Sequence, residues 1–269
     1  MTKRALYTAI AIVIVLGVYG YEHFLVEKDK EGVISEGEKA KETTNEYYLP
    51  TSTTGQIVHH KGYSLSYSEP HEQPEWVAYE LKKSHLSSIN HKRPYFEIDN
   101  AVKTGAAHWR NYKKSGYDRG HLCPAGDRRY SKEAHDETFL TSNISPQEHQ
   151  FNAGIWNRLE QKVRYWAGKY DGVFVVTGGV FDDNMESIGH EYVSVPNAFY
   201  KVILDNDSGS IKIIAFLIPH QDSNKPLYDF VVSVDAIEKL TNIDFFPELE
   251  NGLENKLEAS SSYKDWSFK

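Results

Sequence analysis

Five short runs rich in β-branched and aromatic residues constrain the fold of this chain more than any other feature. Their alternating or continuous apolar pattern is typical of strands that bury one or both faces. The sequence therefore predicts strands at residues 63–68, 76–81, 173–177, 200–204 and 211–218. Between the last two runs stands Asp-Asn-Asp-Ser-Gly at residues 205–209, a strong turn signal that predicts a hairpin.

Two helical patterns accompany the strands. Within residues 152–169, apolar side chains recur at the spacing of one buried helix face, namely Ile155, Leu159, Val163 and Trp166. A second helix is predicted over residues 234–241, with Ser233 as its N-cap. Strands and helices alternate without regular strand–helix–strand units. The sequence therefore predicts the α+β class, with a largely antiparallel central sheet flanked by helices.

The first 46 residues differ from the rest of the chain. Residues 5–21 carry no charge, and about 17 residues is the lower limit for a membrane span. Lys3 and Arg4 precede this run, so we expect residues 1–26 to form a signal anchor or signal peptide that places the following domain outside the cytoplasm. Residues 27–46 are highly charged and lack aromatic residues, which predicts a flexible linker. The predicted location is thus extracytoplasmic, membrane-anchored or secreted if cleaved.

The remaining sequence has the composition of one globular domain, which we place at residues 47–257, followed by a polar tail at residues 258–269. The single cysteine, Cys123, excludes an intramolecular disulfide and is expected to be a small packed residue. A net charge of −8 argues against a nucleic-acid partner, because binding rests on neutralising phosphates. Residues 103–132 nevertheless hold eight basic residues against two acidic ones, which predicts either a local basic surface or a solvated loop.

Residues 117–124, YDRGHLCP, are the most informative for chemistry. His121 has the side chain whose ordinary pKa lies closest to neutrality, so it can take a proton from water. Arg119 can pair with a phosphate oxygen, and Gly120 permits a tight backbone path. A histidine near an arginine is more often structural, so this segment alone leaves the function open.

A second set of polar residues lies on the predicted helix at 152–169, where Asn152, Trp156, Glu160 and Arg164 are spaced by four. In a straight helix Asn152 and Glu160 are about 12 Å apart along the axis, so both would bind one ion directly only with difficulty. We expect Asn152 to hold a metal directly and Glu160 to reach a metal-bound water. Magnesium suits this arrangement because it prefers oxygen ligands and keeps several waters. An ordinary amphipathic helix is the alternative.

Together the two sets of residues resemble the DNA/RNA non-specific endonuclease family, the ββα-metal nucleases. The matching pattern is Asp118-Arg119-Gly120-His121, then Asn143, then Asn152 with Trp156, Glu160 and Arg164. The similarity extends from about residue 76 to residue 247 and so covers most of the predicted domain. The resemblance implies a ββα-metal active-site motif within the α+β fold.

The resemblance also implies a role for each matching residue. His121 corresponds to the general base, and Asn152 to the sole direct protein ligand of magnesium, for which manganese is an expected substitute. Arg119 corresponds to the arginine that contacts substrate phosphate, and Arg93 is the candidate for a second such arginine. Glu160 corresponds to the acid that orders metal-bound water, and Arg164 to its basic neighbour on the helix. Asn143 corresponds to a site-supporting amide.

The residues so assigned predict a metal-dependent endonuclease that hydrolyses phosphodiester bonds of DNA and RNA with little sequence preference. All of them act on phosphate or water, and none is placed to read a base edge. Two alternatives stay open: a catalytically silent nucleic-acid-binding module of the same fold, and a phosphodiesterase on small or lipid phosphates. The expected partners are DNA, RNA and, through the N-terminal segment, the membrane; a homodimer is left open.

Overall fold

Eleven strands are seen in a computed structural model that describes residues 48–206 and 211–268. In chain order they are β1 (Ile57–His59), β2 (Ser64–Ser68), β3 (Gln73–Lys82), β4 (Asp118–His121), β5 (Ile144–Gln147), β6 (Gly172–Gly179), β7 (Glu186–Ile188), β8 (Val193–Val195), β9 (Ala198–Asp205), β10 (Lys212–Pro219) and β11 (Val231–Val232). Seven form a central sheet in the order β1-β2-β3-β6-β9-β10-β11. Every neighbouring pair in it is antiparallel.

The five predicted strands are all present, as β2, β3, β6, β9 and β10. Strands β9 and β10 pair along their whole length, from Asp205 opposite Lys212 to Ala198 opposite Pro219, as the predicted hairpin requires. Residues 207–210 of its turn lie outside the described residues. The α+β class with a largely antiparallel central sheet is confirmed.

Five α-helices lie within the same described residues. They are α1 (Lys132–Glu137), α2 (His149–Phe151), α3 (Asn157–Lys169), α4 (Val234–Thr241) and α5 (Asn251–Glu258). Short 3₁₀ segments cover Glu69–His71, Lys83–His85, Trp109–Tyr112, Ala125–Arg128, Thr141–Asn143 and Leu227–Phe230. Helix α4 has the predicted bounds because the Ser233 hydroxyl accepts a hydrogen bond from the Ala236 amide, which satisfies a free donor of the first turn.

The helix predicted over residues 152–169 is interrupted near its start. A π-helical segment, Asn152–Trp156, joins α2 to α3, and Gly154 within it has non-helical angles of φ −93° and ψ −108°. A Cβ at Gly154 would lie 2.4 Å from the Asp222 carboxylate, so a larger residue there would displace the exposed Asp222 side chain. Such π-bulges often occur at functional sites. The straight-helix distance between Asn152 and Glu160 therefore does not apply.

The central sheet is covered on both faces. On β10, Phe216 belongs to one apolar cluster and its neighbour Ala215 to the other, as alternation along a strand requires. Helix α3 covers the first face, with Leu159, Val163 and Trp166 fully buried or nearly so. Helix α4 covers the second face through Val234 and Ile237, together with the apolar residues of the loop that follows. These two layers fix α3, and with it the segment that carries Asn152.

The C-terminal segment predicted as a polar tail packs on α3. Trp266 is only 4% exposed, and its ring meets the ring of Trp166 edge to face at 4.8 Å. The Trp166 indole N–H donates to the Ser267 carbonyl at 2.8 Å. The structured domain therefore reaches Phe268, which contacts the same apolar cluster.

The predictions for residues 1–26 and 27–46 lie outside the described residues. Within residues 48–206 and 211–268, no helix has the length and apolar character needed to cross a membrane.

Candidate active site

Two short strands and a helix carry the residues singled out in the sequence. Strands β4 and β5 pair antiparallel, with His121 opposite Ile144 and Asp118 opposite Gln147. The chain then turns into α2, the π-helical segment and α3. The sequence predicted that Gly120 permits a tight backbone path. In the structure Gly120 instead leaves room for the side chain of Gln147, because a Cβ there would lie 2.2 Å from Gln147 side-chain atoms.

An open cleft of about 640 Å³ lies over this unit. Four of the predicted site residues line it: Arg93, Arg119, His121 and Asn152. Its other polar lining residues include Asp118, His149, His91, His135 and Arg129. The structure thus brings the predicted base, metal ligand and phosphate-binding arginines together. The predicted residues Asn143, Glu160 and Arg164 do not line this cleft.

One ring nitrogen of the His121 imidazole has no hydrogen-bond partner among the described residues. This nitrogen, Nε2, is also inaccessible to solvent. The ring packs edge to face on Phe139 at 4.8 Å and lies 5.6 Å from the ring of Phe96. Burial, and then the electrostatic effects of Arg93 and His135, lower the pKa of His121 to about 3. The ring is therefore neutral at neutral pH, which is the form that accepts a proton.

The side-chain amide of Asn152 is held from one side by Asp118. Asn152 Nδ2 donates to Asp118 Oδ2 at 3.0 Å, and the same oxygen lies 2.9 Å from His149 Nδ1. An ionised carboxylate can only accept hydrogen bonds, so the amide nitrogen must face Asp118. The amide oxygen is then the end left for a cation. Magnesium prefers such oxygen ligands, so the residues present fit the metal implied by the family resemblance.

Asp118 and His149 were not given a role in the sequence analysis. Asp118 stands in the motif beside Arg119, and its partner Asn152 lies 34 positions further on. His149 precedes Asn152 by three residues, the spacing at which helical side chains are neighbours. That spacing was the available signal for His149, whereas the link to Asp118 required the fold.

Arg119 and Arg93, the two arginines predicted to bind phosphate, lie against aromatic rings. The guanidinium of Arg119 lies 5.2 Å from the centre of the Phe96 ring and donates from Nε and one terminal nitrogen to the Trp109 carbonyl at 3.4 and 3.3 Å. Arg93 is exposed, and its guanidinium lies 5.4 Å from the ring of Phe139. Arg119 is therefore held in place before an anion binds, whereas Arg93 has only ring contacts and is exposed.

Asn143 is a fully buried support of the strand that carries His121. Its Oδ1 accepts from the Cys123 amide at 2.8 Å, while Nδ2 donates to the carbonyls of Cys123 and Thr138, each at 2.9 Å. These bonds fix the backbone two residues after His121. Asn143 lies outside the cleft lining, and its role as a site-supporting amide stays a prediction.

Glu160 and Arg164 belong to a charge network beneath the cleft. Arg164 donates to Asp127 at 2.6 Å, and its other terminal nitrogen lies 3.7 Å from a Glu160 oxygen. Burial raises the pKa of Glu160 to about 7, a rise that Lys201 opposes and Asp127 reinforces. The network meets the cleft at Gly126, a lining residue where a Cβ would lie 3.3 Å from Arg164. The expected contact of Glu160 with metal-bound water stays a prediction.

Lys201 is a member of this network to which the sequence analysis gave no role. It is fully buried on β9, and its ammonium lies 4.7 Å from the centre of the Trp156 ring. Its Nζ has no hydrogen-bond partner among the described residues. Burial lowers the pKa of Lys201 to about 8, although Glu160 and Asp127 oppose the fall. A lysine in an otherwise apolar strand was the signal that could have drawn attention to it.

The basic run at residues 103–132 is only partly a surface feature. Lys103, Arg110, Lys113 and Lys114 are exposed. Arg128 is fully buried, with its guanidinium 4.7 Å from the Tyr79 ring and its Nε donating to the Cys123 sulfur at 3.4 Å. The expected basic surface therefore lacks Arg128. Cys123 is the packed residue that was expected, and burial raises the pKa of its thiol to about 11.

Comparison with known proteins gives consistent matches. A family model described as DNA/RNA non-specific endonuclease matches residues 40–252. A mitochondrial nuclease EXOG of Danio rerio is 39% identical over 203 residues, which is 69% of this chain and 59% of the relative. Human mitochondrial endonuclease G is 32% identical over 228 residues, covering 79% of this chain and 74% of the relative.

A solved structure shows the same fold. It is described as the crystal structure of the EndoG/EndoGI complex, on the mechanism of EndoG inhibition, and it superposes with a TM-score of 0.72 at 30% identity. The match covers 77% of this chain and 91% of that chain. The coverage of the longer relatives is smaller, since this chain spans 59% of the Danio rerio nuclease and 63% of its Xenopus laevis counterpart.

The comparisons correct the predicted location. The Danio rerio, human and Schizosaccharomyces pombe relatives are all named as mitochondrial nucleases. These names contradict the extracytoplasmic location inferred from residues 1–26, whether anchored or secreted. An uncharged run that follows two basic residues is too general a pattern to fix a location by itself. The membrane as a partner loses its support with that correction.

Proposed function

The chain belongs to the DNA/RNA non-specific endonuclease family, and from this membership we propose that it is itself a metal-dependent endonuclease. It hydrolyses phosphodiester bonds in DNA and RNA with little sequence preference. The observation that carries the proposal is the unpartnered Nε2 of His121 in the cleft that is also lined by Asn152 and three arginines. An orphaned acceptor in a buried position costs free energy unless a ligand or water meets it.

His121 acts as the general base. Its neutral imidazole accepts a proton from the water that attacks phosphorus. The charge of Arg93 disfavours protonation of His121 in the free protein. When a substrate phosphate pairs with Arg93, it offsets this charge, and the imidazole becomes a stronger base as the substrate binds.

Asn152 would hold the metal, which we propose to be magnesium, with manganese as a substitute. When bound, the metal supplies a positive charge that stabilises the phosphate and the leaving oxygen. Asp118 positions the amide by accepting the hydrogen bond from Asn152 Nδ2. His149 contacts the same carboxylate oxygen and keeps it in place.

Arg119 and Arg93 bind and orient the phosphate. The guanidinium of Arg119 already donates to the Trp109 carbonyl from two of its nitrogens, so its remaining donors are the ones that reach a phosphate oxygen. Arg93 is exposed at the cleft and can follow the substrate backbone. Asn143 supports the site from outside the cleft by holding the backbone after His121. Arg164 and Glu160 support it through Asp127 and Gly126.

The rival readings have less support. A silent nucleic-acid-binding module would need no base, whereas His121 and Asn152 are both present in one cleft. The alternative of a phosphodiesterase on lipid phosphates rested on a membrane-anchored, extracytoplasmic location. The comparisons contradict this location. The homodimer stays a prediction.

The proposal is tested by incubating the full chain with random-sequence DNA and RNA at two salt concentrations, with magnesium or a chelator. We expect cleavage of both nucleic acids, dispersed cut sites on end sequencing, loss of cleavage in chelator and a steep fall with salt. The His121→Ala variant, purified in parallel, controls for a contaminating nuclease. A single cleavage motif, or equal cutting in chelator, would contradict the proposal.

A further inference from the structure

Five carboxylates gather on the sheet face opposite α3, away from the cleft. They come from α4, from the loop that follows it and from α5: Asp235, Glu238, Asp244, Glu254 and Glu258. Asp235 and Glu238 are three residues apart, and Glu254 and Glu258 are four apart, so each pair shares one side of its helix. The fold thus brings carboxylates from two helices and a loop close together.

The carboxylate oxygens are close enough to share a cation. Oxygens of Asp235, Glu238 and Glu258 lie within 4.8 Å of one another, and so do oxygens of Asp244, Glu254 and Glu258. Glu258 is common to both sets, which places it at the centre. Asp244 is exposed, and this gives the group a route to solvent.

Glu258 supplies an independent sign that a ligand is missing. The residue is only 6% exposed, and its Oε1 is inaccessible to solvent with no hydrogen-bond partner among the described residues. A buried carboxylate oxygen without a partner is costly. Buried charges in proteins are paired or coordinate metals, so this oxygen is available to a hard cation.

No basic side chain offsets the group. Within residues 48–206 and 211–268, no ion pair joins any of the five carboxylates to a lysine or arginine. Carboxylates crowded without a counter-charge repel one another and weaken the contact between α4 and α5.

We propose that these carboxylates bind one divalent cation of the calcium class, with Glu258 as the central ligand. Calcium accepts six to eight oxygens at about 2.3–2.6 Å in irregular geometry and takes carboxylates in one- or two-oxygen contacts. Two oxygens on opposite sides of such an ion are therefore about 5 Å apart, close to the span of each set. Magnesium needs near-ideal octahedral geometry and keeps several waters, so it fits a cluster made only of carboxylates less well.

This site is separate from the metal position in the cleft. Asn152 lies at the start of the helical segment that covers the other sheet face. The family match ends at residue 252, before Glu254 and Glu258. The cation would join α5 and the loop to α4, and its effect would be on stability rather than on the reaction.

The test measures calcium binding in the full chain that carries Asn152→Ala, so that the cleft does not contribute. After removal of metals with a chelator, calcium is titrated by calorimetry into this protein and into two further variants. Glu258→Gln removes the central ligand with little change of shape. Glu248→Gln removes an exposed carboxylate from the same region and serves as the matched control.

We expect one calcium ion per chain in the parent and in the Glu248→Gln control, and at least tenfold weaker binding in Glu258→Gln. Calcium should raise the Tm of the first two proteins and leave that of Glu258→Gln unchanged. If Glu258→Gln does not fold by circular dichroism, Glu254→Gln should show the same loss. Absence of calcium binding in the parent, equal binding in the ligand variant, or equal affinity for magnesium would each overturn the proposal.

Discussion

Asp118 accepts a hydrogen bond of 3.0 Å from the side-chain amide of Asn152, and this contact joins the first strand of the ββα unit to its helix. The bond fixes which end of the amide faces the cleft, since a carboxylate only accepts. Asp118 is therefore a positioning residue for Asn152, the proposed metal ligand. Asn152 begins the π-helical segment, in which Gly154 has non-helical backbone angles.

The first prediction concerns Asp118. Asp118→Ala should raise the magnesium concentration for half-maximal cleavage by about 10–100-fold, because partners that orient a metal ligand typically contribute that much. Asp118→Asn should recover part of the loss, since its amide oxygen can still accept from Asn152. Cleavage is measured across a magnesium series, with Asp183→Ala, at an exposed position, as the control. An unchanged magnesium requirement in Asp118→Ala would show that the contact does not position the ligand.

The second prediction concerns the base. His121→Ala should lower the cleavage rate by roughly 10²–10⁴-fold, the usual effect of losing a general base. Nucleic-acid affinity should remain close to that of the parent, because the phosphate-binding arginines are unchanged. Plasmid cleavage and gel-shift titration measure the two quantities. His190→Ala, at an exposed position outside the cleft lining, is the matched control, and parental turnover in His121→Ala would exclude His121 as the base.

The third prediction concerns the support behind His121. Asn143→Ala leaves three backbone groups of Cys123 and Thr138 without their partner. Each buried group left unsatisfied costs about 1–3 kcal/mol, so the free energy of unfolding should fall by at least about 3 kcal/mol. Urea unfolding measures the change. Asn184→Ala, at an exposed loop position, should shift it by less than about 0.5 kcal/mol, and an equally small effect at Asn143 would refute the supporting role.

The fourth prediction is a pH dependence of stability. Burial, and then Arg128 and Lys82, lower the pKa of His85 to about 4. Its Nδ1 accepts from the Lys82 amide and faces the Arg128 guanidinium, so protonation is opposed in the fold. In the unfolded chain His85 binds its proton near its ordinary pKa of 6.5. The unfolded state therefore holds more protons between these values, and the free energy of unfolding should fall as the pH is lowered from 6.5 to 4.

Urea unfolding at pH 7 and pH 5 tests this dependence. His85→Gln keeps an acceptor but cannot titrate, so its loss of stability between the two pH values should be smaller than that of the parent. His190→Gln, which changes an exposed histidine, should behave like the parent. An identical fall in all three proteins would assign the pH dependence to other groups.

Local patterns in the sequence predicted much of the fold. The strands β2, β3, β6, β9 and β10 follow from β-rich runs because alternation of side chains along a strand needs only neighbouring residues. Helix α4 follows from Ser233 and the apolar spacing after it for the same reason. The π-helical interruption at Gly154 did not follow, because the apolar spacing of residues 155–166 is that of a continuous helix.

Most of the candidate site was also visible in the sequence, through its resemblance to a known family. His121, Asn152, Arg119 and Arg93 do meet in one cleft. The residues that hold or surround them were missed because each acts through a partner far along the chain. Asp127 reaches Arg164 across 37 positions, and Lys201 reaches the network from β9. A charged residue in an apolar strand, such as Lys201, is a local sign of burial, but the sequence does not show which partner it will meet.

The sequence by itself determined five of the strands, the capped helix α4 and the chemistry offered by His121 and Asn152, because these depend on side-chain type and on spacing within a few residues. Only the tertiary structure decided which groups are buried together. It turned Arg128 inward against Tyr79, packed Trp266 on Trp166 across the domain and gathered carboxylates around Glu258. Burial and electrostatic environment arise from contacts between residues that are distant in the chain, and no local pattern specifies them.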